Sequence, residues 1–162
     1  LITLMLINDG VLHSCLFYPS FQFKKNRSEY YRQLTSVRER GTYEEWIEFF
    51  CNSLLESAED SVGSLKNLVD LHNRSTATIT ENLGRTAANG QRLLGILEEH
   101  PIVDTAFIAA QLDIGRSTAS SLVKSFEELG ILRPLDESRQ RYRQYGYEEY
   151  LSILREDAEP IR

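Results

Sequence analysis

Residues 91–135 read QRLLGILEEHPIVDTAFIAAQLDIGRSTASSLVKSFEELGILRPL, and the spacing of their apolar positions predicts three short helices and a closing strand. Leu93, Leu94 and Leu97 share one face of a first helix. It stops at His100-Pro101, because proline brings no N–H to the helical ladder and crowds the preceding turn. Asp104 is placed to cap a second helix whose apolar side is Phe107, Ile108 and Leu112. The turn Asp113-Ile114-Gly115 leads to a third helix over about Arg116 to Leu129. Its inner stripe is Ala119, Leu122, Val123 and Phe126, and Gly130 ends it. Two apolar helices joined by so short a turn must cross steeply, as in a helix-turn-helix. A plain helical hairpin lacks that turn and the closing Gly130-Ile131-Leu132.

The residues beyond Gly130 extend the pattern. Residues Ile131 to Leu135 read as a strand, Asp136-Glu137-Ser138 as a turn, and Arg141 to Tyr145 alternate with the strand period. That hairpin is the wing of a winged helix-turn-helix domain spanning 90–162. Tyr147 to Arg155 closes it as a short helix with Tyr150, Leu151 and Leu154 inward.

A chain of 162 residues, 41% hydrophobic and 26% charged, holds one full core plus an appendage. Its net charge of -6 argues against strong non-specific nucleic-acid binding. The charge is uneven, however. From Arg116 to Tyr147 the bases Arg116, Lys124, Arg133, Arg139, Arg141 and Arg143 outnumber the acids Glu127, Glu128, Asp136 and Glu137. Cys15 and Cys51 lack metal-ligand spacing and read as buried reduced thiols of a cytoplasmic protein. The apolar opening LITLMLI is broken by Asn8-Asp9-Gly10 before it could span a bilayer, and it has neither the charged start nor the cleavage site of a signal peptide. It reads as a core helix of a longer chain.

The rest divides into two segments. Residues 1–41 form a helical block with more apolar surface than partners. In it Phe21 to about Lys25 is a short helix, and Ser28 caps a helix over Glu29 to Arg40 that Gly41 ends. Its expected buried stripe is Tyr30, Tyr31, Leu34 and Val37. Residues 42–89 open with Thr42 and Glu45 in a capping box, followed by a long helix. Trp46, Ile47, Phe50, Leu54, Ala58, Val62, Leu65, Leu68, Val69 and His72 recur at three- and four-residue steps. At 1.5 Å per residue this helix is about 40 Å long, a spacer or a homodimer seam, with packing inside one chain as the opposing account. Asn73 to Asn89, rich in Ser, Thr and Asn, is expected to hold a second, weaker helix (Ile79, Leu83, Ala87) before Asn89-Gly90 punctuates the chain.

The segments Phe23-Lys24-Lys25-Asn26-Arg27-Ser28-Glu29-Tyr30-Tyr31 and Arg38 to Phe50, ending Glu44-Glu45-Trp46-Ile47-Glu48-Phe49-Phe50, closely resemble the region after the catalytic loop of Fic-family proteins. Many bacterial members carry a C-terminal winged helix, so the resemblance covers nearly the whole chain. Fic enzymes transfer AMP from ATP to a protein hydroxyl, using the signature H-x-F-x-(D/E)-G-N-G-R-x-x-R. Its histidine takes the hydroxyl proton, its glycine-rich turn and helix N-terminus cradle phosphates, and its acid holds Mg²⁺. That signature is absent from this sequence. The resemblance therefore implies a non-catalytic C-terminal piece of a protein adenylyltransferase, with ATP and Mg²⁺ belonging to the full-length parent. The family's paired tyrosines match Tyr30 and Tyr31. Tyr31 is the better candidate for an adenine contact, with packing as the opposing account, and Tyr30 reads as core. Lys24, Lys25 and Arg27 could meet phosphates, or form a solvated basic helix end.

Other chemistry finds no footing. His13, His72 and His100 are scattered without a helical pair or nearby cysteine, so no metal site is expected. No nucleophile elbow or phosphate loop appears.

The expected fold is thus mainly α: a Fic-core remnant, a long linker helix and a winged helix-turn-helix with a small β-hairpin. Two functions compete for it. DNA binding would use Arg116, Ser117, Thr118, Ser121 and Lys124 on the third helix to approach base edges, with Arg139, Arg141 and Arg143 of the wing on phosphates. Protein docking would present targets to a Fic core, in keeping with the low basicity and with Glu127-Glu128. A self-standing transcription regulator is the third reading, opposed by the unpartnered apolar first helix.

Overall fold

The computed structural model describes residues 2–12, 19–136 and 143–156. Among them the chain is mainly helical with a small antiparallel sheet. Four helices come first: α1 (Ile2–Asn8), α2 (Pro19–Lys25), α3 (Arg27–Arg40) and α4 (Tyr43–Asn82). A short 3-10 turn (Gly84–Thr86) precedes α5 (Ala87–Glu99), β1 (Ile102–Asp104), α6 (Thr105–Leu112) and α7 (Arg116–Glu128). The order ends with β2 (Arg133–Pro134), β3 (Gln144–Gly146) and α8 (Glu148–Glu156). No helix among the described residues is long and apolar enough to cross a membrane. The chain forms two compact units that divide between Lys66 and Asn67.

The first unit is held by aromatic rings and polar links. Phe23 of α2 stacks on Phe50 of α4 with centroids 5.6 Å apart, and Tyr30 of α3 meets the edge of Trp46 at 5.6 Å. Gln22 donates to the Asp60 carboxylate, joining α2 to α4. The hydroxyls of Ser36 and Thr42 lie 2.6 Å apart across the α3–α4 turn, where Gly41 takes φ 68° and donates its N–H to the Val37 carbonyl. Of the expected stripe of α3, Tyr30 and Val37 are half-buried, but Tyr31 and Leu34 are not. Gln33 and Ser36 are buried, whereas Tyr31 and Leu34 are 54% and 39% exposed. Within α3, Gln33 donates to Glu29 at 2.8 Å and Arg40 to Ser36 at 2.9 Å, while the Ser36–Thr42 contact ties this side to the following turn. Leu4 and Met5 of α1 and Val11 beyond it are exposed. Cys51, expected as a buried thiol, is exposed, and Cys15 lies outside the described residues.

The second unit, Asn67–Arg155, has an ordinary hydrophobic core. Leu93, Leu94 and Leu97 of α5, Ile108 and Leu112 of α6, and Ala119, Leu122, Val123 and Phe126 of α7 are all buried, as their spacing predicts. The Asp104 carboxylate caps α6 by accepting the Phe107 N–H at 2.8 Å. The second helix expected within residues 73–89 does not form separately: α4 runs on to Asn82 and buries Leu71, Ser75 and Ile79 in this core, and the chain breaks only at Leu83 and the 3-10 turn. The polar side chains of α4 do not unravel it. The Thr78 hydroxyl, the Thr80 hydroxyl and the Asn82 amide each donate to the carbonyl four residues back. The compact unit begins at Asn67.

Gly90 also differs from its expected role. It lies inside α5, where an added Cβ would stand 2.7 Å from Ile79 Cγ2 and 2.8 Å from Leu83 Cδ1. Its missing side chain permits the close approach of α5 to the end of α4. The sheet has the order β1-β3-β2, all antiparallel. β1 was not expected; Ile102–Asp104 pairs with β3 so that Val103 faces Tyr145. Two residues between a proline and a helix cap carry too little alternation to announce a strand. In α8 the inward position is Ile153, while Leu154 is 43% exposed. Tyr147, just before α8, is 1% exposed, and its hydroxyl lies 2.8 Å from that of Ser75 on α4.

Candidate nucleic-acid interface

The turn between α6 and α7 is set by its backbone. Asp113 adopts the left-handed conformation at φ 55° and donates its N–H to the carbonyls of Ala109 and Ala110. Aspartate tolerates this region better than branched residues do, which is why the turn holds without glycine at that position. Ile114 then packs partly into the core, its N–H bonded to the Ala109 carbonyl at 3.0 Å. Gly115 is extended and leads directly into α7.

α7 is sharply divided. Its inner stripe is buried, while Arg116, Ser117, Thr118, Ser121 and Lys124 are all exposed. Ser120 is exposed between Ser117 and Lys124 on the same side, an addition that the sequence reading missed. Lys124 pairs with Glu128 at 3.8 Å, one turn on, and both side chains are well exposed. Such a pair is worth little in water and is readily exchanged for a stronger anion. Thr118, Ser121, Leu122 and Ser125 line one wall of a cleft of about 80 Å³, whose other wall is Thr86 and Asn89. Those last two come from the end of the 3-10 turn and the first turn of α5 and gave no signal in sequence, since only packing brings them beside α7.

Beside α7, β2 and β3 pair with Arg133 opposite Gly146 and Pro134 opposite Tyr145. Leu135 extends the ladder by donating to the Gln144 carbonyl at 2.9 Å. A Cβ at Gly146 would lie 2.8 Å from Leu135 Cδ2, the end of an exposed side chain that would have to turn aside. Arg133 and Arg143 are exposed at the two ends of this ladder. Arg139 and Arg141 lie outside the described residues.

The candidate nucleotide residues sit in the first unit. Tyr31 is exposed, with the Arg27 guanidinium 5.5 Å over its ring. Tyr30 is half-buried among Phe23, Tyr31 and Trp46. This gives a stacking face and one cation. The signature whose glycine-rich turn and acid would hold phosphates and Mg²⁺ is absent from the sequence. No family model matches the chain.

Proposed function

We propose that the second unit is a winged helix-turn-helix that binds DNA, with α7 as the recognition helix and the segment joining β2 to β3 as the wing. One observation carries the reading: α7 buries every apolar residue and turns Arg116, Ser117, Thr118, Ser121 and Lys124 to solvent, beginning at a sharp turn. Short hydroxyl side chains let a helix approach base edges closely, and Arg116 and Lys124 suit guanine acceptors or phosphates. Arg143, with Arg139 and Arg141, would hold phosphates and set register without reading sequence.

The resemblance of residues 23–31 and 38–50 to Fic proteins supports reading this unit as part of a cytoplasmic protein adenylyltransferase, with ATP and Mg²⁺ belonging to the full-length parent. The present chain would be its non-catalytic, regulatory part. The coding sequence ahead of Leu1 tests that parentage directly: it should encode the His-x-Phe…Gly-Asn-Gly-Arg signature, and a coding sequence without it rejects the enzyme reading.

A second reading, docking of Fic target proteins, is favoured by the Lys124–Glu128 pair, which offsets one of the few cations on α7. Fluorescence anisotropy with mixed-sequence duplex DNA separates the two. DNA binding predicts retention at low salt that weakens steeply, with a log–log slope of about -3 if three to four phosphates are contacted. Arg116→Ala or Lys124→Ala should lower that slope by about one. No retention at low salt, or no change in the variants, rejects DNA binding and leaves protein docking.

A further inference from the structure

α4 carries two faces of different character. Up to Lys66 its packing side is marked by buried Ser53 and Ser57. A second stripe, about a third of the way round the helix at 3.6 residues per turn, holds Cys51, Leu55, Ala58, Val62, Leu65 and Val69. The steps between them are four, three, four, three and four residues. Leu55, Val62, Leu65 and Val69 are 58%, 50%, 43% and 58% exposed. Single exposed leucines need no explanation, but an unbroken stripe of alternating three- and four-residue steps does. That spacing is the 3.5-residue period that keeps one seam facing a partner helix along its length.

The flanks say which partner. Glu59 and Lys66 are both exposed and follow Ala58 and Leu65 on the same edge of the stripe. The opposite edge, with Leu54, Ser61 and Leu68, is half-buried within the chain's own packing and leaves less room. We infer that the stripe is covered by α4 of a second copy of this chain, running antiparallel, with Val62 packed beside the second copy's Leu65. In that arrangement the free edge meets itself. Glu59 then faces the second copy's Lys66, and the two-fold axis repeats the pair, so opposite charges match twice. A parallel pair would set the free edge against the half-buried one and bring Cys51 against Cys51 of the other copy.

The test uses the full chain. Light scattering across about 1–200 µM should show a monomer–dimer equilibrium. Val62→Glu with Leu65→Glu should weaken it at least about a hundredfold while the far-UV circular dichroism stays unchanged, since both residues are exposed. If that spectrum falls, Val62→Asn with Leu65→Asn replaces it, with the same loss expected. Glu59→Lys alone should weaken the dimer by about three- to tenfold, and adding Lys66→Glu should restore it. In a Cys15→Ser background, mild oxidation should give no Cys51 disulfide between copies. A chain monomeric at every concentration, or a dimer indifferent to the Val62 and Leu65 changes, overturns the inference. Rapid Cys51 cross-linking, or charge reversal without rescue, overturns the antiparallel pairing.

Discussion

The two units are built from the same kind of helix and bury opposite things. Up to Lys66 the buried side chains include Gln22, Gln33, Ser36, Ser53 and Ser57, while Tyr31, Leu34, Ile47, Leu55 and Val62 stand in water. Every buried hydrophobic residue described lies between Leu71 and Ile153. α4 shows the contrast within a single helix, with serines inward before Lys66 and Leu71 and Ile79 inward after it. An apolar stripe thus states which surface must eventually be covered; it does not state that the chain's own helices cover it.

The largest effect that would break this contrast is a core deletion. Phe126→Ala should cost about 3–5 kcal/mol in urea denaturation, because Phe126 is fully buried and a cavity would remain. A loss below about 1 kcal/mol would mean the second unit is as loosely filled as the first.

A smaller effect comes from one substitution at two places in α5. Gly90→Ala should destabilise by about 1–2 kcal/mol, since its Cβ would press on the rigid, fully buried Ile79. Gly95→Ala, with nothing within 4 Å of the added carbon, should instead stabilise by about 0.5–1 kcal/mol. Equal signs in thermal melts would show that the approach of α5 to α4 is not tight.

Next comes a buried hydroxyl pair of the core, Ser75 with Tyr147. Tyr147→Phe should cost about 1 kcal/mol, leaving the Ser75 hydroxyl without its partner. Burial raises the Tyr147 phenol above its ordinary value, outweighing the Ser75 hydrogen bond that acts the other way. The folded state therefore holds this proton more tightly than the unfolded state. Its contribution is complete below about pH 10 and is lost as pH climbs through the raised folded value. The wild-type chain should lose stability along that alkaline limb, and Tyr147→Phe should flatten it in denaturation curves taken at successive pH values.

The smallest expected effect sharpens the first unit. Leu34→Gln should change stability by no more than about 0.5 kcal/mol, although it removes a large apolar residue. A loss several times larger would place Leu34 in a core after all.

Legibility followed the same division. From Gln91 to Leu135 the apolar spacing identified the buried residues of α5, α6 and α7, because local propensity and tertiary packing agree there. In α3 they disagree in part: Gln33 and Ser36 are buried beside the half-buried Tyr30 and Val37, and the Ser36–Thr42 contact that ties this side down is not visible in hydrophobic spacing. The continuation of α4 through residues 73–82 was hidden by Ser, Thr and Asn, whose back-bonding to the helix is invisible in composition. At the candidate interface, five exposed residues of α7 were read correctly as outward. Thr86 and Asn89 were not, since a shared cleft is a property of packing rather than of spacing.

The placement of Gly90 inside α5 bears on how the molecule ages. Asn-Gly is the dipeptide most prone to spontaneous loss of the side-chain amide, because an unhindered backbone nitrogen can fold back onto the asparagine and close a five-membered imide. That closure needs a backbone free to leave helical angles. Asn89-Gly90 is held in helical angles, with Gly90 wedged against Ile79. The native fold therefore shields a chemically fragile bond that the unfolded chain would expose. Time spent unfolded would be recorded at residue 89 as an added negative charge beside the outward face of α7.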